Sequence, residues 1–277
     1  MGSIGYISIL LLLANTLVTY QGLNDRSFFD RYSFQIDGIL IRKEYYRIIS
    51  SGFLHVDWRH FILNMLTFYF FSYALEVKFG HALFLLLYFG SLAGGNLLAL
   101  YIHRNHGDYH AVGASGAISG LIFASIAVFP GLILYLIFFP IPGWLFGLIY
   151  VLASIYGIKS QSDNIGHEAH LGGGLAGMLT AVSLDPYVVR ENYFEILCIL
   201  VPSAVFLYLL MRNPDFLLVN RFSFPGSQQK FYNKDEKYNY EQNQRKRELD
   251  RLLDKISRSG IGSLSAQERK RLDELNK

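Results

Sequence analysis

A helix that crosses the hydrocarbon of a bilayer needs about 20 mostly apolar residues, within a range of about 17 to 25. This chain offers such runs at about 4–20, 58–77, 81–102, 166–184 and 194–212, with shorter ones at about 115–129 and 143–158. Backbone N–H and C=O groups find no water in lipid, so each run must close its own hydrogen bonds as a helix. The charges are displaced to match. None falls between Met1 and Leu23, while residues 228–277 carry a dense mixture of both signs. Only 17% of the 277 residues are charged, against about a quarter in soluble domains. The sequence predicts an all-α, polytopic membrane protein with a polar helical tail.

The first run lacks a preceding Lys or Arg and is followed by Gln-Gly-Leu-Asn-Asp. It reads as a retained span, since a signal peptide has a basic leader and a small-residue cleavage site. Pro130-Gly131 stops the fourth run, and "PIPGW" at 140–144 interrupts the fifth. Proline removes an N–H and clashes with the preceding turn, so an interfacial segment is expected at 131–140 and the span at 143–158. The seventh run contains Pro202 and begins at Glu195. The fourth is short for a span. Its irregular lead-in, His110 to Ala114, must then line a cavity.

Glycines recur four apart at Gly90 and Gly94, Gly116 and Gly120, Gly143 and Gly147, and Gly173 and Gly177. That spacing lets membrane helices approach closely. Packing of the fourth and sixth spans through these faces would bring Ser115 and His170 to one end. By the positive-inside rule, the loop 21–57, with Arg26, Arg31, Arg42, Lys43 and Arg47, belongs in the cytoplasm. Cleavage near the outer face of the membrane would instead place it outside.

Several function classes fall away. The aromatics sit inside apolar runs and are not interleaved with Lys and Arg, so no nucleic-acid surface is expected. Cys198 is the one cysteine, so no disulfide can form within the chain; it reads as a small buried hydrophobe. "HEAH" at 167–170 places its histidines three apart, whereas the zinc-protease motif requires four. His103, His106 and His110 lie in a loop without a carboxylate pattern, and no metal is expected. "GASGA" at 113–117 puts Ala117 where a hydrolase elbow has its last glycine. A transporter would spread polar residues along a pore and show repeats; here they gather at one depth.

What remains is nucleophilic catalysis. A serine hydroxyl needs a base to take its proton, and His170 is the candidate base for Ser115. The developing oxyanion needs donors. The N-terminus of the fourth span offers free N–H groups and a partial positive charge. His60 and Asn64, one turn apart on the second span, offer side-chain N–H groups. His55 and His167 read as packing or hydrogen-bonding residues, and Glu168 as facing water.

"GASGAISG" at 113–120, "HFILN" at 60–64, "HEAHLGGGLAG" at 167–177 and "SGFLHVDWRHFILNM" at 51–65 together resemble the rhomboid intramembrane serine proteases. The resemblance covers roughly residues 4–185. It implies a six-helix core with a Ser–His dyad and no Asp, Ser115 as nucleophile and His170 as base. It places His60, Asn64 and the Ser115 amide around the oxyanion, with Gly113 shaping that position. Glu76 matches a structural acid, and Tyr46 and Arg47 match an aromatic and an Arg of the first loop.

The expected organisation is a six-helix rhomboid core at 1–190, an additional span at 191–213, a linker at 214–240 and a helical hairpin at 241–277. The hairpin rests on an apolar stripe, Leu249, Leu252, Leu253 and Ile256, a stop at Gly260, and Ser265 with Glu268 as a capping box. Ile261, Leu264, Leu272 and Leu275 complete its apolar side, and it resembles short extensions on some bacterial rhomboids. The expected function is cleavage of membrane-anchored proteins through an acyl-enzyme, without cofactor, with the bilayer and those substrates as partners and a bacterial inner membrane as location. The alternative is a non-catalytic rhomboid-like scaffold that binds transmembrane helices.

Overall fold

The computed structural model describes residues 5–129, 131–136, 139–160 and 165–212, and in the tail residues 252, 255, 256, 265, 268, 269, 271 and 272. Helix α1 (Tyr6–Asn24) runs four residues past the expected end at Tyr20. Its packing inverts the rule for soluble helices. Ser8, Leu11, Asn15, Thr19 and Gly22 are buried, while Tyr6, Leu10, Leu13, Leu17 and Tyr20 are exposed. Lipid tails are as apolar as leucine, so burying leucine gains little and small or polar residues take the interface.

A compact connection follows, made of α2 (Arg26–Tyr32), β1 (Phe34–Gln35), α3 (Ile36–Leu40) and α4 (Arg47–Ser50). Buried Arg47 holds it together. Its guanidinium donates to the Asp30 and Ser33 carbonyls at 2.8 and 2.7 Å and to the Glu44 carboxylate at 2.6 Å, which holds Glu44 below the usual carboxylate range. Helix α5 (Trp58–His103) has 46 residues, which at about 1.5 Å each is about 69 Å, more than twice the hydrocarbon thickness. Gly80, at φ 75° and ψ 170°, breaks it into the two expected spans. A side chain would strain that conformation.

Strand β2 (His110–Ala111) pairs with β1, Phe34 opposite Ala111 and Gln35 opposite His110. Then come α6 (Ser115–Val128), β3 (Ile133–Leu136), β4 (Phe139–Pro142), α7 (Gly143–Ser160), α8 (His167–Leu184), α9 (Val188–Glu191) and α10 (Tyr193–Arg212). Where an interfacial segment was expected, β3 and β4 pair antiparallel, Ile133 opposite Pro142 and Tyr135 opposite Pro140. In a two-stranded ribbon a proline can stand where no ladder N–H is required. Apart from these two small ribbons the regular elements among the described residues are helices, as the sequence predicts.

By length and composition α1, α5, α7 and α10 can each cross a membrane. Helix α6 is short because it is the centre: every residue from Gly116 to Val128 is buried. Helix α8 carries His167, Glu168, His170 and four glycines, which dilute its apolar character.

Glycines interlock the centre. A Cβ on Gly173 would overlap the Gly116 carbonyl, and one on Gly177 would overlap Gly120. Gly120 also faces the Ser91 side chain, and Gly94 faces Ala176. Two contacts were not signalled by the four-residue spacing: Gly95 against the Ala169 carbonyl, and Gly172 against Leu98. Gly90 departs from its expected crowding, since its Cβ would meet only Thr180 Oγ1 at 3.8 Å. Gly147 meets Ile199 of α10. With Trp144 against Phe194 at 5.4 Å and Asn192 donating to the Ala127 carbonyl at 2.8 Å, this seats α10 on the bundle. Pro202 lies inside α10 without ending it, and Cys198 is half-buried, outside the core.

One membrane face is tied by two carboxylates. Buried Glu76 accepts from the Ile7 and Ser8 N–H groups at 2.9 Å each, from Ser8 Oγ at 2.6 Å, and pairs with His81 at 2.9 Å. It caps α1, whose first N–H groups have no intrahelical partner. Asp185, after α8, pairs with Lys78 at 2.8 Å. The candidate catalytic residues lie at the opposite face.

The chain divides into two compact units, Met1–Arg221 and Phe222–Lys277. In the second, the expected capping box forms: the Ser265 N–H donates to Glu268 at 2.8 Å and the Glu268 N–H to Ser265 Oγ at 3.2 Å. Lys255 also pairs with Glu268 at 2.8 Å, and Leu252 is buried. The rest of the expected hairpin, Leu249, Leu253, Gly260, Ile261, Leu264 and Leu275 included, lies outside the described residues.

Four substitutions at three positions test this architecture by thermal unfolding in detergent. Glu76→Ala leaves three donors unmet and should cost about 1–3 kcal/mol, with Glu76→Gln milder. Gly173→Val should unfold the protein or separate α6 from α8, whereas Gly90→Ala should be tolerated.

Candidate active site

Ser115 is the first residue of α6. Gly113, two residues before it, has φ +130°, a region that side chains rarely occupy. The turn is held by the Gly113 N–H donating to the Ser51 carbonyl at 3.0 Å. The first bond into the helix runs from the Ile118 N–H to the Ala114 carbonyl at 3.0 Å. The N–H groups of residues 115 to 117 therefore have no intrahelical acceptor and make the positive end of the helix.

His60 stands over this turn. A Cβ built on Gly113 would lie 3.0 Å from His60 Nε2, 2.8 Å from its Cε1 and 3.7 Å from Ser115 Oγ. The imidazole edge, the glycine and the serine hydroxyl thus bound one small space, which any side chain at 113 would fill. His60 Nδ1 is buried with no partner among the described residues. Asn64, buried one turn along α5, donates one amide hydrogen to the His60 carbonyl at 2.9 Å. Its second hydrogen is left for another acceptor.

His55 sits behind, fully buried. Thr19 Oγ1 donates to the Phe53 carbonyl at 3.1 Å and lies 2.8 Å from His55 Nδ1. The hydroxyl has one hydrogen, so Nδ1 carries its own and donates to Thr19. Nε2 is then the acceptor that faces the Ala114 N–H at 3.5 Å. This is a neutral imidazole in one tautomer, as a hydrogen-bonding role requires. Burial, aided by neighbouring His60, pushes its pKa down to about 3.

Helix α8, which bears the candidate base, lies alongside α6, with the starts of the two helices together. A Cβ on Gly116 would lie 3.2 Å from the Ala169 carbonyl, and Ala169 precedes His170. The His170 ring is neighboured by His167 at 6.1 Å and by Tyr150 of α7 at 6.2 Å. His167 is wedged against Gly157, which suits a packing role. Tyr150 carried no sequence signal; it lies in an apolar run as one aromatic among many. Its hydroxyl is 2.6 Å from Ser119 Oγ, which donates to the Ser115 carbonyl at 2.7 Å.

Glu168 does not face water. It is buried and accepts from His103 Nε2 at 2.9 Å. Tyr109 stacks on His103, ring centres 3.7 Å apart and 10° from parallel. The pair ties the end of α5 and the lead-in to α6 to the start of α8. The sequence could not show it, because the partners lie 65 residues apart. Among the described residues no group of three His, Cys, Asp or Glu side chains is placed to hold a metal ion.

Residues 42–186 match the Rhomboid domain family, a stretch that contains Ser115, His170, His60, Asn64 and Gly113. Residues 232–277 match a family of unknown function, DUF6576. RHOMBOID-like protein 12, mitochondrial, of Arabidopsis thaliana is 27% identical over 183 residues, covering 60% of this chain and 54% of that protein. Rhomboid protein 1, mitochondrial, of Saccharomyces cerevisiae is 31% identical over 163 residues, covering 56% and 47%. Rhomboid protease GluP of Bacillus subtilis is 26% identical over 148 residues, covering 53% and 28%. The chain spans about half the length, or less, of these curated relatives. Two of them are mitochondrial, so the expectation of a bacterial inner membrane is not supported; a multi-pass integral membrane protein is.

The His55 arrangement predicts a pH response. Below about pH 6.5 an unfolded chain protonates this histidine, while the folded protein refuses the proton until about pH 3. Stability therefore falls as pH drops through that window, by up to ~1.4 kcal/mol per unit. Thermal unfolding at pH 7 and pH 5 should show a larger loss for wild type than for His55→Gln.

Proposed function

We propose that this chain, which belongs to the rhomboid family, is an intramembrane serine endopeptidase. The observation that carries the reading is the space bounded by Gly113, His60 and Ser115 Oγ at the open N-terminus of α6, beside the helix that bears His170. His170 takes the proton of Ser115 Oγ, and the oxygen attacks the scissile carbonyl. The carbonyl oxygen becomes an oxyanion in that space, where the Ser115 N–H, His60 and the free amide hydrogen of Asn64 donate to it. His170 then gives its proton to the departing amine. The acyl-enzyme on Ser115 is hydrolysed by water, with His170 again the base.

The substrate is a membrane-anchored protein. Its backbone must be unwound at the cut, since a helix hides its carbonyls in hydrogen bonds. Glycine, proline or other helix-weakening residues near the membrane boundary favour cleavage.

The test is cleavage of a single-span reporter protein by the purified chain in liposomes. Ser115→Ala and His170→Ala should each lose more than about 10³-fold in rate while melting as wild type does. Gly113→Val should also lose activity, because its side chain would occupy the oxyanion space. Cleavage retained by Ser115→Ala would sink the assignment, and binding of the reporter without cleavage by wild type would favour the scaffold reading.

A further inference from the structure

Helix α7 contributes one side chain that reaches both halves of the Ser115–His170 pair. The Tyr150 hydroxyl lies 2.6 Å from Ser119 Oγ, which donates to the Ser115 carbonyl at 2.7 Å. A hydroxyl has one hydrogen. That of Ser119 goes to Ser115, so the hydrogen between Ser119 and Tyr150 belongs to the tyrosine. The chain of bonds runs from Tyr150 O–H through Ser119 O–H to the backbone of the serine. The tyrosine ring, meanwhile, lies 6.2 Å from the His170 ring at 39°, within the range of aromatic pairs. The ring is itself held by Phe123 of α6 at 5.5 Å and Phe146 at 6.0 Å.

We infer that Tyr150 is a positioning residue for the dyad, a strut from α7 that fixes the His170 ring relative to the backbone of Ser115. This rests on the protease reading above. The glycine contacts between α6 and α8 set where two backbones lie. They set no side-chain torsion, and a histidine ring turns about two. Something must flank the imidazole to hold it toward the serine, and a misplacement of about 1 Å can cost about 10²-fold in rate. Tyr150 supplies one flank, with His167 of the same helix as another neighbour, and its hydroxyl fastens the tyrosine ring to the nucleophile's helix.

The experiment is the rate of modification of the detergent-purified full chain by a fluorophosphonate, followed to saturation in wild type, Tyr150→Phe, Ser119→Ala, the double variant and Tyr150→Leu. Tyr150→Phe and Ser119→Ala should each slow the maximal rate by about 3- to 10-fold, the range of one modest hydrogen bond. The double variant should be no slower than either single one, because all three break the same link. Tyr150→Leu should lose about 10²-fold, with the half-saturating probe concentration unchanged. The Phe variant then counts as rescue by the ring alone. A Tyr150→Leu protein that reacts at the wild-type rate overturns the inference, as does a double variant whose loss is the product of the single losses. If the Leu variant does not fold, the Phe and Ala variants decide by themselves. A wild type that never reacts overturns the protease reading, and this inference with it; the first failure is told apart because there the wild type reacts.

Discussion

The close approach of α6 to α8 is the constraint on which the rest depends. Gly116, Gly120, Gly173 and Gly177 meet without side chains between them, so the two backbones touch. In lipid this is where helix association gains most, since apolar side chains are equally at home facing the tails. The contact also decides chemistry. It places the first turn of α6, with its unmatched N–H groups, against the start of α8, with its histidines. Ser119 and Tyr150 then act across a distance that the glycines have already closed.

Everything around this pair limits its freedom. Arg47 gathers the first connection, and the β1–β2 pairing carries that rigidity to the residues just before Gly113. The Glu168–His103 pair ties α8 to the end of α5. His55 links Thr19 on α1 to the peptide that precedes Ser115. At the other face Glu76 and Asp185 hold α1 and α8 to the middle of α5. Polar groups in this protein therefore work as ties between elements distant in sequence. Arg47, Glu168, His55, Glu76 and Asp185 each meet a partner, as a low-dielectric surrounding requires.

The spans were legible because hydrocarbon thickness acts on length and composition, both local. The break in α5 was legible as the gap between two apolar runs, 58–77 and 81–102, and the structure puts Gly80 in that gap. Ser115, His60 and Gly113 were legible as a motif, and the structure gathers them around one space. Other features depend on contacts that no local pattern carries. Glu168 reads as a surface residue until His103, 65 residues earlier, is brought beside it. Tyr150 is indistinguishable in sequence from the lipid-facing tyrosines. The β3–β4 hairpin was hidden because its prolines ruled out a helix without naming what replaced it. Gly95 and Gly172 pack as tightly as the glycines in the four-residue pattern, yet they fall outside it.

The central claim is that this packing yields a serine activated by a histidine on the neighbouring helix. The most direct measurement is to locate the adduct by peptide mass spectrometry after fluorophosphonate treatment of wild type and His170→Ala. The account predicts modification of Ser115 in wild type and none in the variant. Folded wild type without an adduct on Ser115, or the same adduct in both proteins, would contradict it.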